Sequence, residues 1–153
     1  MKVLGIDPGI ERLGWGLLKK THGGFEYINS GVKKTLKSKN TSERLLEIYE
    51  FLNKLIQKEQ PEMVGVEKLF FSKNVKTAMI IGEVRGVILV AAQKHGLNIK
   101  EFSPQEIKMI VCGHGNADKK EVASMLQLSM VLPNKKMLDD ETDALAIALA
   151  ATI

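Results

Sequence analysis

The chain has 153 residues, 44% of them apolar, which is enough to bury one hydrophobic core and too few for two ordinary domains. Lysine and arginine number 22 against 18 aspartates and glutamates, a moderate basic excess that is compatible with nucleic acid without requiring it. The single cysteine, Cys112, excludes an internal disulfide and predicts a reducing, cytoplasmic compartment. Neither a signal-peptide pattern nor a run of about 18 apolar residues occurs, so we expect a protein that is not exported and does not span a membrane.

The first third of the chain predicts an antiparallel meander of three strands. Their apolar runs, separated by turn-rich connections, are Lys2 to Asp7, Leu13 to Lys19 and Phe25 to Lys33. Apolar residues then recur at helical spacing after Asn40 and Thr41, either of which can cap a helix. A short strand, Met63 to Glu67, comes after that helix, so we expect it to run parallel to the first strand.

A long segment, Thr77 to His95, is rich in valine, isoleucine and alanine, and its length favours a buried or interface helix. Gly82 and Gly86 lie one turn apart in this segment, which suits close packing either within the chain or against a second subunit. The next segment, Asn98 to Phe102, predicts a fifth strand.

The last third predicts helices that begin at capping residues. One begins at Ser103, with proline next and glutamate three residues on, and another begins at Asp118. The last begins at Asp139 or Asp140 and is almost wholly apolar afterwards. No repeat or linker interrupts the order, so residues 1–153 are expected to form a single α/β domain.

Four carboxylates are the candidates for chemistry, because the usual nucleophile, phosphate-loop, dinucleotide and zinc-protease motifs are absent. Asp7 and Glu67 end two strands that would be neighbours, and sites in α/β sheets form at the carboxyl ends of strands. Asp140 and Asp143 are three residues apart and share a helix face. Converging acids repel one another without a cation, and oxygen donors suit Mg²⁺. Two such ions can activate water and stabilise a departing alkoxide, which indicates phosphodiester hydrolysis.

Each acid alone has an ordinary explanation in a turn, in solvent or at a helix start, so only their joint placement favours a site. Spacing does not choose between Asp139 and Asp140 as the partner of Asp143. If the helix begins at Asp140, Asp139 is the better N-cap, and a capping side chain is unavailable to a metal. This capping argument favours Asp140 as the ligand but does not by itself decide between the two residues.

Five motifs, taken in order, resemble the RuvC-type Holliday junction resolvases over nearly the whole chain. They are GIDPG followed by Gly14-Trp15-Gly16, VEKLFFSKN at 66–74, GEVRGV at 82–87, SPQEIK at 103–108 and DALAIALA at 143–150. The resemblance implies a ribonuclease-H-like fold with a five-stranded mixed sheet, in which strands 1 to 3 are antiparallel, strands 1, 4 and 5 are parallel, and helices cover both faces. It also implies a homodimer that cuts two opposed strands of a four-way DNA junction in recombination and repair, alongside a branch-migration motor complex.

The resemblance also assigns roles to single residues. The family's four catalytic, metal-binding carboxylates fall on Asp7, Glu67, Asp140 and Asp143. An aromatic that stacks on unpaired bases at the crossover matches Phe70, with Phe71 as the adjacent alternative. Two catalytic lysines that contact the scissile phosphate match Lys108 and Lys119. The implied cofactor is Mg²⁺, with two ions per site, and Mn²⁺ is expected to substitute.

Three other functions share parts of this pattern. An actin-like ATPase or sugar kinase also opens with a strand ending in aspartate and glycine, but it needs two duplicated halves. A non-catalytic nucleic-acid-binding module of the same fold would be expected to have lost an acid. A nuclease acting on RNA or RNA–DNA hybrids differs only in the flanking motifs. A basic stretch before the first helix suits either DNA backbone or a solvated loop, and its lysines are Lys33, Lys34, Lys37 and Lys39.

Overall fold

The computed structural model describes residues 1–68 and 74–153. In these two ranges five strands form one sheet, in the order β3-β2-β1-β4-β5. The strands are β1 (Lys2–Asp7), β2 (Arg12–Thr21), β3 (Gly24–Lys34), β4 (Met63–Glu67) and β5 (Asn98–Phe102). The helices are α1 (Thr41–Glu59), α2 (Val75–Lys94), α3 (Pro104–Cys112), α4 (Lys119–Ser129) and α5 (Asp139–Ala151).

The sheet is mixed, with β1 at its centre. Strands β1, β2 and β3 are antiparallel neighbours, whereas β4 runs parallel to β1 and β5 runs parallel to β4. The predicted topology is therefore confirmed. Because β1 and β4 are parallel neighbours, their carboxyl ends meet at one edge of the sheet, where Asp7 and Glu67 stand.

Helices cover both faces of the sheet, as predicted. On one face, α1 and α2 pack on the sheet through a core that includes Leu4, Leu52 and Ile88. On the other face, α5 lies directly on β1 and β2, with α3 and α4 outside it. Apart from its first turn, α5 is buried on nearly every side, which explains its almost wholly apolar sequence.

Four glycines of the sheet, which we call the glycine seam (Gly5, Gly14, Gly16 and Gly65), lie beneath α5. A Cβ atom on Gly5 would stand 2.0 Å from the carbonyl oxygen of Ala144, and one on Gly14 would stand 2.1 Å from that of Asp140. Neither distance is possible between atoms that are not bonded to each other, so only glycine lets the helix backbone approach the strands this closely. The glycines of the GWG motif therefore serve packing, and they bring the start of α5 down to the end of β1.

The predicted helix starts are found at three capping boxes, in which a side chain and the backbone satisfy each other. Asn40, Ser103 and Asp118 are the N-caps of α1, α3 and α4. Helix α2 begins at Val75, two residues before the predicted start, because Asn74 accepts the backbone N–H of Thr77 and caps it. None of the helices in the two described ranges combines the length and hydropathy that a membrane crossing needs.

Candidate active site

Three of the four predicted carboxylates meet in one cavity. Ile6 pairs with Val66 in parallel register, so the next residues along each strand, Asp7 and Glu67, stand side by side. Asp143, on the second turn of α5, lines the same cavity, which has a volume of about 210 Å³. The sheet edge and the helix that rests on the glycine seam thus supply one acid cluster.

The acids of this cluster are poorly solvated and repel one another. Burial raises the pKa of Asp7 to about 7, and the negative charges of Asp143, Glu67 and Asp140 add to the effect. Burial also raises the pKa of Glu67, with Asp143 as the further cause. The pKa of Asp143 is raised by burial as well, although Lys119 opposes the rise. The cavity therefore favours an added positive charge.

Two lysines line the same cavity, Lys108 from α3 and Lys119 from the first turn of α4. The Nζ atom of Lys119 lies 3.5 Å from Oδ2 of Asp143 and 3.4 Å from Oδ2 of Asp139. The charge of Asp143 raises the pKa of Lys119, so the Lys119 side chain is protonated and positively charged at neutral pH. Both lysines are placed to meet an anionic group that enters the cavity.

Asp140 is oriented differently from the other three acids. It lines a separate groove of about 610 Å³ between the β1–β2 connection and α2. Its side chain is 17% exposed, and its Oδ2 lies 3.0 Å from Nη2 of Arg12. The charge of Asp140 still raises the pKa of Asp7, so the two carboxylates influence each other through space. Sequence reasoning missed Arg12, because no motif marks a residue whose importance depends on a contact with a distant helix.

The expectation that Asp139 caps the last helix is wrong, so capping gives no reason to prefer Asp140 over Asp139 as a ligand. Helix α5 begins at Asp139 itself, and Leu138, with extended backbone, occupies the N-cap position. The N–H of Leu138 donates to the carboxylate of Glu141 at 3.0 Å, so the helix start is held by the third residue of the helix. Asp139 points outward, with its side chain 77% exposed, and reaches Lys119.

Glu141 is a second residue that sequence reasoning missed. It is buried, and its Oε1 accepts hydrogen bonds from Ser30 Oγ at 2.8 Å and from Lys135 Nζ at 2.9 Å. These contacts fasten the first turn of α5 to β3 and to the segment before the helix. In the sequence it looks like one more acid at a helix start, where solvation and the helix dipole explain it.

Phe70 and Phe71 lie outside the described residues. The basic stretch before α1 is largely paired with nearby acids, since Lys33 and Lys39 contact Glu47 and Lys37 contacts Glu11. Lys33 and Lys34 belong to the end of β3, so the predicted loop is found only around Lys37 and Lys39. Both of these lysines are paired with acids.

The donor set of the cavity fits a hard divalent cation. In the described part of the chain no three acid, histidine or cysteine side chains are already gathered closely enough to enclose an ion. However, Mg²⁺ keeps several waters and needs only one or two carboxylates together with substrate phosphate oxygens. Three partly buried carboxylates with raised pKa values are a suitable partial shell for such an ion.

The comparisons with known proteins identify the family. The family model described as crossover junction endodeoxyribonuclease RuvC matches residues 3–151. The chain belongs to the RuvC family. The RuvC of Alkaliphilus metalliredigens is 42% identical over 149 residues, which cover 97% of this chain and 91% of that protein. The RuvC of Roseiflexus sp. is 38% identical over 151 residues, or 99% and 90%.

Solved structures agree with the RuvC assignment. The structure of Thermus thermophilus RuvC in complex with a Holliday junction substrate superimposes with a TM-score of 0.92 at 34% identity, covering 99% of this chain and 93% of that one. The yeast mitochondrial Holliday junction resolvase Ydc2 shares the fold at 17% identity, with a TM-score of 0.71 and 97% and 77% coverage. Membership in the RuvC family confirms the predicted resemblance, the ribonuclease-H-like fold and the enzyme class of crossover junction endodeoxyribonucleases.

Proposed function

We propose that residues 1–153 act as one nuclease domain that resolves four-way DNA junctions by hydrolysing phosphodiesters in two opposed strands during recombination and repair. The observation that carries this proposal is the meeting of Asp7, Glu67 and Asp143 in one cavity beside Lys108 and Lys119. The junction-bound T. thermophilus relative supports the choice of DNA substrate. The products are 5′-phosphate and 3′-hydroxyl ends, which follow when water attacks phosphorus and the 3′ oxygen departs.

The chemistry requires divalent cations, for which we propose two Mg²⁺ ions, with Mn²⁺ as a substitute. When bound, the ions supply activated water and positive charge on the departing oxygen. Asp7, Glu67, Asp143 and Asp140 are the residues that would hold them. Near neutral pH a substantial fraction of the metal-free molecules carries a proton on Asp7, because its pKa is about 7, and ion binding requires Asp7 to be charged. Lys108 and Lys119 hold non-bridging oxygens of the scissile phosphate as point charges.

Junction recognition is proposed to use an aromatic residue that follows Glu67 closely in the sequence. Phe70 is the candidate for stacking on bases exposed at the crossover, with Phe71 as its alternative, and stacking of this kind tolerates any base. We also propose a branch-migration motor as a partner. The proposed compartment is the cytoplasm, and the lone, unpaired Cys112 is the observation that supports it.

The test of the proposed function is a cleavage assay on a synthetic four-way junction, with a linear duplex and an RNA–DNA hybrid of matched sequence. We expect paired cuts in the junction with Mg²⁺ or Mn²⁺, no cuts in EDTA, and junction binding that persists in EDTA because backbone contacts do not need the ions. Full activity in EDTA would exclude the metal mechanism. Preferential cutting of the hybrid would favour the alternative nuclease.

Asp139 and Asp140 give a second prediction, because they are neighbours of identical chemistry in different surroundings. Asp140→Asn should abolish cleavage while junction binding remains, since it weakens the hold on the ions without removing a phosphate contact. Asp139→Asn should stay within about fivefold of wild type, because exposed ion pairs are worth only about 0.2–1 kcal/mol. Cleavage rates under single-turnover conditions decide this. An inactive Asp139→Asn beside an active Asp140→Asn would move the assignment by one residue.

Helix α2 is the proposed dimer contact, since two opposed cuts require two sites related by one symmetry axis. Three apolar residues of this helix are exposed over 63%, 63% and 60% of their surfaces, namely Val75, Met79 and Val90. Their spacing places them on one helix face. Gly86 belongs to the same face, and a Cβ built on it meets nothing within 4 Å. This face is therefore largely apolar and open to a second copy of the chain, with Glu83 and Gln93 as its exposed polar residues.

Met79→Lys should convert the dimer to a monomer, because burying its ammonium group in the contact costs more than an ion pair with Glu83, one turn along the same face, returns. Light scattering at micromolar concentration measures the change, and the paired cuts should be lost with it. Leu46→Lys, at an apolar position of α1 that is 56% exposed, is the matched control and should leave the mass unchanged. A wild-type monomer that still makes paired cuts would contradict this interface.

A further inference from the structure

Arg12 pairs with the carboxylate of Asp140 outside the cavity that holds the acid cluster. It is the first residue of β2, and its Nη2 lies 3.0 Å from Oδ2 of Asp140. The Arg12 side chain is 49% exposed, so the pair is buried on the Asp140 side and open on the other. Both residues line the groove of about 610 Å³ that runs between the β1–β2 connection and α2.

The contact between them is held by charge. The Oδ2 atom of Asp140 is buried, and no group in the described residues donates it a well-formed hydrogen bond. Arg12 is therefore the cation that offsets this carboxylate, and it can leave for the open groove without being buried elsewhere. Lys119 is paired with Asp143 much as Arg12 is paired with Asp140, but the same Nζ atom of Lys119 also contacts Asp139.

We propose that Arg12 is the resident counter-ion of Asp140 and that a divalent cation must displace it before Oδ2 of Asp140 can bind the metal. The inference rests on the proposed function, in which Asp140 is one of the metal-binding carboxylates. While Arg12 is paired, Oδ2 of Asp140 is unavailable to the ion, and the apparent affinity for the ion is lowered according to the fraction of molecules in which the pair is intact. Arg12 is thus a positioning residue that sets the metal concentration at which the centre fills.

The test measures metal binding without DNA and without turnover. Mn²⁺ is titrated into the full chain, and free Mn²⁺ is followed by its electron paramagnetic resonance signal. We expect Arg12→Gln to tighten Mn²⁺ binding by about fivefold, which is the factor that a good ion pair on a protein surface is worth. Arg12→Lys keeps the charge and should bind nearly as wild type does. Lys37→Gln removes a lysine paired with Glu11 and controls for net charge, so it should change affinity less than twofold.

A double variant identifies the route of the effect. If Arg12 acts through Asp140, Arg12→Gln should no longer change Mn²⁺ affinity when Asp140→Asn is already present. Tightening that persists in that background would be a general charge effect and would overturn the inference, as would unchanged or weaker binding by Arg12→Gln alone. A separate result, in which Asp140→Asn binds Mn²⁺ as tightly as wild type, would show that Asp140 is not a ligand and would remove the proposed role on which the inference rests.

Discussion

Asp7→Asn should abolish junction cleavage and at the same time stabilise the metal-free protein at pH 8 by up to about 4 kcal/mol. The loss of activity follows from the position of Asp7 at the centre of the acid cluster, where it is the most strongly perturbed of the three cavity carboxylates. The gain in stability follows from its pKa, which rises from 3.8 to about 7 on folding. Each tenfold change in proton affinity is worth about 1.4 kcal/mol, so the folded state is penalised by roughly 4 kcal/mol when Asp7 is ionised.

The raised pKa of Asp7 makes the free energy of unfolding of the metal-free protein depend on pH. Between pH 4 and pH 7 the folded chain retains a proton on Asp7 that the unfolded chain has released. The free energy of unfolding therefore falls as the pH rises through this interval and stays low above it. Asp7→Asn removes that fall, so wild type and variant should converge near pH 4 and separate most at pH 8.

Chemical denaturation in EDTA at several pH values measures both effects, and Glu50→Gln, at an exposed position on α1, is the control that should change neither activity nor stability. Adding Mg²⁺ should stabilise wild type more than Asp7→Asn, because the ion binds only the folded site. An Asp7→Asn protein that is less stable than wild type at pH 8 would mean that the carboxylate contributes a favourable contact which outweighs burial and repulsion.

Gly5→Ala should destabilise the protein by about 3 kcal/mol or more. The new methyl group would overlap the carbonyl oxygen of Ala144 and the backbone nitrogen of Ala148, at 2.0 and 2.5 Å. Backbone atoms of a buried helix cannot rotate away as a side chain can, so α5 must shift as a whole, and overpacking a core costs about 1–3 kcal/mol even where side chains can adjust. Cleavage should fall as well, because α5 carries Asp143.

Two further glycines provide a graded comparison for Gly5→Ala. A Cβ on Gly65 would meet Ala151 and Ile147 at 3.0 Å, partly through side-chain atoms, so Gly65→Ala should cost less. Gly23, in the β2–β3 turn, has nothing within 4 Å of a built Cβ, and Gly23→Ala should lie within about 1 kcal/mol of wild type. Urea denaturation ranks the three, and equal stabilities for Gly5→Ala and Gly23→Ala would contradict the close packing of α5.

The sequence predicts this molecule well where the determinants are local or follow from topology. The three capping boxes are readable because polar side chains recur at fixed spacings, and the approach of Asp7 to Glu67 follows once two strands are parallel neighbours. Orientation within the site is not readable in this way. Asp140 shares a helix face with Asp143, yet its side chain turns towards Arg12, a contact that joins residues far apart in the chain.

The last helix shows the same limit. Its N-cap is Leu138, a residue type that offers no capping group, and the helix start is held instead by Glu141, whose burial depends on Ser30 and Lys135. Such an arrangement follows from tertiary packing and leaves no pattern in the sequence. The glycines of the GWG motif were recognisable as a motif, but the reason for them is the helix that lies on top of them.

The glycine seam has a consequence for how this enzyme tolerates mutation. Where α5 meets β1, the closest approach is between main-chain atoms, so the separation of Asp143 from Asp7 is set by backbone contact and not by the size of intervening side chains. Replacing one core leucine or isoleucine with another apolar residue changes the free energy of unfolding, and cores accept such exchanges with a modest loss of stability. The spacing of the reactive groups should survive those exchanges. Most residues of the hydrophobic core can therefore vary while the distance between Asp7 and Asp143 stays constant.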